Sequence, residues 1–184
     1  MAQSTRKGGG KIPPKHLFLT GKPGVGKTTL IERVIEHYQG PVRGFYTREI
    51  REEGRRVGFT LNVIGGERKI FAHITFRTRF RVGRYCVRVD ILDDYGVKEL
   101  EAGIEEGSLI VVDEIGKMEL FSTALRETLL QALDSDCRVV ATLTKQGSAY
   151  REKITGREDV EVIEVTEKNR VSLIDLALAR LGNR

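Results

Sequence analysis

Apolar positions recur along the chain in two alternating rhythms. His16–Thr20 (HLFLT) is a short apolar run ending at a glycine, which predicts a buried strand. From Lys27 to Tyr38, Leu30, Ile31, Val34, Ile35 and Tyr38 fall at helical spacing on one face, and Gly40-Pro41 ends the helix they predict. Arg43–Ile50 is extended in character, and Glu53-Gly54 marks a turn. Val57, Phe59, Leu61 and Val63 alternate with more polar residues as a half-buried strand does; Gly65-Gly66 makes a second turn, and Lys69–Ile74 reads as a third strand. This stretch predicts an antiparallel meander inserted after the first helix.

The α/β rhythm then resumes. The pattern predicts a helix over Val97–Glu106, a strand at Leu109–Val112, and a helix over Ser122–Leu133 with Leu125, Leu129, Leu130 and Leu133 on one side. Arg138–Leu143 and Val160–Val165 read as further strands. Lys168–Leu181 reads as a closing amphipathic helix with Val171, Ile174, Leu178 and Leu181 inward. Strands alternating with helices imply a mostly parallel sheet covered on both faces. No internal repeat is visible.

Composition narrows the class. The 184 residues suit one domain, expected over residues 12–184, with residues 43–90 as a β-rich basic insertion. Residues 1–11 are polar with a glycine triplet and read as a mobile tail. No apolar run approaches the roughly 20 residues of a membrane span, and the start has no signal-peptide stretch, so a cytoplasmic protein is expected. Cys86 and Cys137 fit a reducing compartment and offer no disulfide framework. The scarcity of Asn and Gln beside abundant charge resembles a thermophile's composition. Residues 43–90 hold 12 basic and 5 acidic side chains, whereas residues 91–184 hold 12 basic and 19 acidic ones. A positive front half suits polyanions such as nucleotide phosphates or nucleic acid. The arginines of Arg77–Arg88 (RTRFRVGRYCVR) are too dense for a core, which places that stretch at the surface.

The strongest chemical signal is Gly21-Lys22-Pro23-Gly24-Val25-Gly26-Lys27-Thr28, a full G-x-x-x-x-G-K-[ST] between an apolar strand and an amphipathic helix. Glycines let the backbone curl so that several N–H groups point at one phosphate, and the helix adds its positive end. Lys27 supplies a point charge to the β- and γ-phosphates, and the Thr28 hydroxyl is placed to ligate Mg²⁺. With Thr29, these residues are the candidate nucleotide-binding loop. Four apolar residues then run into Asp113-Glu114, a Walker B pattern. Ligands of open α/β sheets lie at the carboxyl ends of the strands. Asp113 is therefore the candidate Mg²⁺-side carboxylate, and Glu114 the candidate that orients or deprotonates a water.

The segment Asp113-Glu114-Ile115-Gly116-Lys117-Met118-Glu119-Leu120, with GKPGVGKTT, resembles the small nucleoside-triphosphatase family of thermophilic bacteria, archaea and animals, which includes cancer-related nucleoside-triphosphatase. Gly44-Phe45-Tyr46-Thr47 with Glu49 and Arg51, Gly58-Phe59, Val82-Gly83 with Tyr85 and Val87, and Asn169-Arg170 also match. The resemblance runs from about His16 to about Leu181. It implies a RecA-like P-loop fold, a three-layer sandwich whose Walker B strand is not directly beside the P-loop strand. It also implies slow, Mg²⁺-dependent hydrolysis of ATP, GTP, CTP and UTP alike to diphosphate and phosphate. Lys117 either reaches the γ-phosphate or pairs with a helix end. Asn169 and Arg170 either approach the base or ribose or cap the last helix.

Other readings stay open. Asp113–Gly116 fits the GTPase D-x-x-G, but Thr144-Lys145-Gln146-Gly147 ends in a glycine where guanine recognition needs a carboxylate. A small-molecule kinase would share the P-loop, with Arg77, Arg79, Arg81 and Arg84 as a lid or arginine finger. A nucleotide-gated nucleic-acid binder would use Phe76, Phe80 and Tyr85 as stacking platforms. His16, His37 and His73 have no metal-ligand spacing with either cysteine.

Overall fold

The computed structural model describes residues 13–182, so the tail expected at 1–11 lies outside the described residues. One nine-stranded sheet organises the chain: β1 (His16–Thr20), β2 (Val42–Glu52), β3 (Arg55–Val63), β4 (Arg68–His73), β5 (Arg81–Val82), β6 (Tyr85–Val87), β7 (Leu109–Ile115), β8 (Val139–Leu143) and β9 (Val160–Glu164). The spatial order is β5-β6-β4-β3-β2-β7-β8-β1-β9. The five strands from β2 to β9 pair in parallel, and the other four extend the sheet antiparallel from β2. β8 lies between β1 and β7, so the P-loop and acidic strands are not adjacent. The meander continues the main sheet: β2 is paired with β7 on one side and β3 on the other.

Helices cover both faces, completing the three layers. On one face, α1 (Lys27–His37) and α6 (Ser172–Arg180) bury Leu30, Ile31, Val34, Leu173 and Ala177 against Leu17, Leu19, Val111 and Val140. On the other, a helical run begins as α2 (Val89–Ile91), passes through a π-helical turn at Leu92–Val97 and continues as α3 (Lys98–Glu106). With α4 (Thr123–Asp134) and α5 (Ala149–Thr155) it covers Phe18, Phe45, Ile110 and Val112. The strands buried on both faces are the continuously apolar ones, as β1 and β8 are throughout.

Three sequence expectations need correction. The helix expected from Val97 starts eight residues earlier, at Val89. Its π-helical turn carries Gly96 against the Phe45 ring, where a Cβ would fall 2.9 Å from the ring, and the extra residue breaks the 3.6 period. The last helix starts at Ser172, not Lys168, and Val171 is 74% exposed rather than inward. Asn169 and Thr166 tie the preceding turn: Thr166 N–H donates to Asn169 Oδ1 (2.7 Å) and Asn169 N–H to Thr166 Oγ1 (3.3 Å). The inward stripe is therefore Leu173, Ala177 and Leu181, with Ile174 and Leu178 packed against its edge as expected. In the arginine-rich stretch the arginines are exposed, but β6 buries Tyr85 and Val87. Helix α5 was not anticipated: it is 7 residues long with Ile154 as its buried residue, too little to show a period. No helix among the described residues is long and apolar enough to cross a membrane.

Candidate active site

The loop between β1 and α1 is shaped by its glycines. Gly21 (φ 153°) passes so close to the residue after β9 that a Cβ would fall 2.7 Å from the Val165 carbonyl oxygen. Gly26 (φ 106°) caps α1 in the left-handed region, and the Arg170 side chain lies over it, 3.6 Å from where a Cβ would stand. Lys27 is buried at the first helical position, and its ammonium donates to the Gly21 and Lys22 carbonyls, each at 3.3 Å. The amine is thereby folded over the mouth of the loop, where an incoming phosphate oxygen replaces weak carbonyl contacts with a charged one.

Two strand ends meet this loop. Asp113 on β7 is 1% exposed. The Thr142 hydroxyl on β8 donates to its Oδ1 (2.5 Å), and Oδ2 has no protein partner among the described residues. Burial pushes the Asp113 carboxyl above its ordinary range, opposed by hydrogen bonds from Thr142 and Thr28 and by the Lys27 charge. The adjoining Glu114, joined to it by a cis peptide, is likewise raised by burial, with Lys27 working against that and Asp113 with it. Glu119 is buried beneath the turn after β7 and accepts the Gly116 N–H at its Oε2 (3.0 Å). Burial drives its carboxyl up to about 8.

These groups share one cleft of about 730 Å³. Pro23, Gly24, Gly26, Lys27, Thr28 and Thr29 form its floor, and Asp113, Glu114, Lys117 and Glu119 one wall. The meander contributes further lining: Thr47, Arg48, Glu49, Arg56, Phe59 and Val82. Arg56 is fixed there, donating to Glu49 Oε1 (2.6 Å) and Tyr85 Oη (3.0 Å), with its guanidinium 5.0 Å from the Phe59 ring centroid. Gly21, Lys22 and Val25 belong to the loop without lining the cleft. Asn169 and Arg170 do not line it either; Asn169 is held in its turn and by the Glu164 carbonyl (2.9 Å). Sequence reasoning missed Thr142, Glu119, Glu32 and the meander lining. Glu119 stood inside the DEIGKMEL segment, a usable signal. Thr47, Glu49, Phe59 and Val82 likewise stood among the matching residues, whereas Thr142, Arg48 and Arg56 become neighbours of the loop only through the strand order.

The stacking platforms imagined for nucleic acid are turned to other use. Tyr85 packs edge-on to Phe59 (5.2 Å between centroids), Phe80 against Phe121 (5.3 Å) and Phe76 against His73 (5.7 Å). Arg77, Arg79, Arg81 and Arg84 do not line the cleft. Cys86 and Cys137 are both free thiols.

Comparison with known proteins gives the same picture. The family model described as NTPase matches residues 16–178. The chain belongs to this family. It is 44% identical over 165 residues to nucleoside-triphosphatase THEP1 of Thermotoga sp. strain RQ2, covering 90% of this chain and 94% of that one. It is 37% identical over 176 residues to the human cancer-related nucleoside-triphosphatase, covering 87% and 93%. The crystal structure of THEP1 from Aquifex aeolicus superposes with a TM-score of 0.82 at 34% identity, covering 90% of this chain and 98% of that one. The solution structure of the human protein superposes at 0.78 and 34%, covering 92% and 99%. The P-loop NTPase fold expected from the sequence is the fold of its family.

Proposed function

We propose that this protein is a Mg²⁺-dependent nucleoside triphosphatase that releases phosphate from ATP, GTP, CTP and UTP. The observation carrying the reading is the convergence of Lys27, Thr28, Asp113 and Glu114 in one cleft. The names of its relatives point the same way.

The loop amides and Lys27 hold the phosphate chain, the lysine giving up its two carbonyl contacts to do so. The donor set suits a hard cation. Asp113 has one buried oxygen without a protein partner among the described residues, and Thr28 lines the same cleft. Among the described residues no group of three His, Cys, Asp or Glu forms a protein cage. Mg²⁺ needs none, since it uses one or two protein oxygens and fills the rest with phosphate and water. Thr28 and Asp113 would hold the ion, which when bound neutralises charge on the β- and γ-phosphates. Glu114 accepts a proton as water oxygen attacks the γ-phosphorus; the bond to the β–γ bridging oxygen breaks, and diphosphate and phosphate leave. Lys117, exposed on the rim, adds a positive charge near the γ-phosphate. Arg170, whose side chain lies over Gly26, adds a further positive charge beside the phosphate loop.

Base tolerance follows from a site built around phosphate. Gly147 offers guanine no carboxylate, and Lys145 is committed to Glu164 (2.5 Å). A kinase reading draws on the cleft's extension past Glu114 to Thr47 and Phe59, which leaves room for an acceptor. Phosphate release without added acceptor, assayed with Glu114→Gln, separates the two: a kinase releases little phosphate and phosphorylates a second molecule instead.

A further inference from the structure

The triphosphatase site has one lysine within the loop and one on the rim; of the arginines near it, Arg56 is tied to the meander and Arg170 lies over Gly26 without lining the cleft, so neither is placed to take up charge as the γ-phosphoryl transfers. The meander places another arginine there. β2 is the direct parallel neighbour of β7, with Tyr46 in register with Asp113, and it continues beyond the carboxyl end of that pairing. Arg48 stands two residues past Tyr46, about 7 Å along the strand and on the same face of it. Its guanidinium lies 5.3 Å from the Tyr46 ring centroid and is ion-paired to Glu32. Glu32 is four residues after Thr28 on α1, one helical turn or about 6 Å further along the same helix face. The two fixed points therefore bracket Arg48 between the metal-side carboxylate and the helix that carries the metal-side hydroxyl. Both Arg48 and Glu32 line the cleft.

We propose that Arg48 is an arginine finger supplied in cis. It leaves Glu32 when a triphosphate binds and donates to the γ-phosphate oxygens as charge develops on them. The exchange is inexpensive. The Arg48 side chain is 57% exposed, and an exposed ion pair of this kind contributes little to stability. A planar two-pronged donor to phosphate is the stronger contact. Arg56, the other arginine of the meander lining, is held by Glu49, Tyr85 and Phe59 at once and serves as scaffold. In this arrangement Glu32 is the parking site that keeps the finger in the cleft. Arg77, Arg79, Arg81 and Arg84, the lid or finger candidates of the kinase reading, do not line the cleft.

The inference rests on the triphosphatase reading, and the test keeps the two apart. Phosphate release at saturating Mg·ATP is compared for wild type, Arg48→Ala, Arg48→Lys, Glu114→Gln and, as a control outside the cleft, Arg33→Ala. Affinity for a non-hydrolysable ATP analogue and capture of ADP with aluminium fluoride are measured alongside. Arg48→Ala is expected to lower kcat by at least about 100-fold, within the range for loss of such a group. It should bind the analogue within about threefold of wild type and fail to capture ADP with aluminium fluoride, while Arg48→Lys recovers part of kcat and Arg33→Ala behaves as wild type. Loss of kcat together with an equal loss of analogue affinity would overturn the proposal by making Arg48 a ground-state contact. Wild-type kcat in Arg48→Ala, with Glu114→Gln inactive, would overturn it while leaving the triphosphatase reading intact. An inactive wild type would instead sink that reading.

Discussion

Thr142 on β8 donates its hydroxyl to Oδ1 of Asp113 on β7, so the carboxylate is held at one oxygen while the other lacks a protein partner. The two residues lie near the carboxyl ends of adjacent parallel strands, and neither side chain has freedom to turn away, since Thr142 is fully buried and Asp113 nearly so. A carboxylate oriented by a buried donor presents its remaining oxygen in a fixed direction, the arrangement a metal-side ligand needs.

Thr142→Val removes that donor with little change of volume. The expected outcome is a rise of about tenfold in the Mg²⁺ concentration for half-maximal phosphate release, in line with the loss of a group that orients a ligand. A Mg²⁺ titration of activity checks this. An unchanged midpoint would show that Asp113 needs no support from β8.

His16 reports on the opposite end of β1. Its Nδ1 accepts the Val139 N–H (3.2 Å) and its Nε2–H donates to the Leu133 carbonyl (3.1 Å), which fixes a neutral ring. Burial lowers its pKa from 6.5 to about 4, with Asp159 partly offsetting the shift. The unfolded chain takes up a proton near pH 6.5 that the folded chain refuses until about pH 4. Stability present above pH 6.5 is thus lost as the pH falls through that window, by roughly 3 kcal/mol in all. Denaturant unfolding at several pH values, wild type against His16→Gln, should show a steeper acid loss in the wild type. Parallel curves would contradict the assignment.

Glu119 behaves in the contrary sense. Its folded pKa of about 8 lies far above the ordinary 4.5, so the folded state keeps a proton that the unfolded state gives up. Its contribution is complete below about pH 4.5 and is lost as the pH rises through 8. Glu119→Gln keeps an acceptor for the Gly116 N–H without the ionisation. The variant should gain on wild type by about 1–3 kcal/mol between pH 5 and pH 9. A thermal-unfolding series over that range checks it, and a constant difference would mean that Glu119 ionises normally.

Much of this was written in the sequence because the signals are local. The P-loop needs glycines at set positions and a lysine at the start of a helix, so eight consecutive residues announce it. The strand running into Asp113-Glu114 is equally local. What escaped notice depends on which strands become neighbours. Nothing in the spacing of Thr142 or Arg48 links them to residue 113; only the sheet order and the parallel register of β2 with β7 do so. Local period also misled where backbone irregularity intervened. The π-helical turn at Leu92–Val97 hid the start of a helix, and the Thr166–Asn169 turn displaced Val171 to the surface.

The central claim is that Lys27 holds the phosphates while Glu114 activates water. It is tested most directly by phosphate release from ATP, GTP, CTP and UTP with Mg²⁺, using wild type, Lys27→Ala and Glu114→Gln. Release from all four by wild type is expected. Lys27→Ala should lose tight triphosphate binding, and Glu114→Gln should bind normally but turn over at least about 100-fold more slowly, about 2.7 kcal/mol in barrier. Normal turnover by Glu114→Gln would contradict the account, and so would a wild type that binds triphosphate without releasing phosphate.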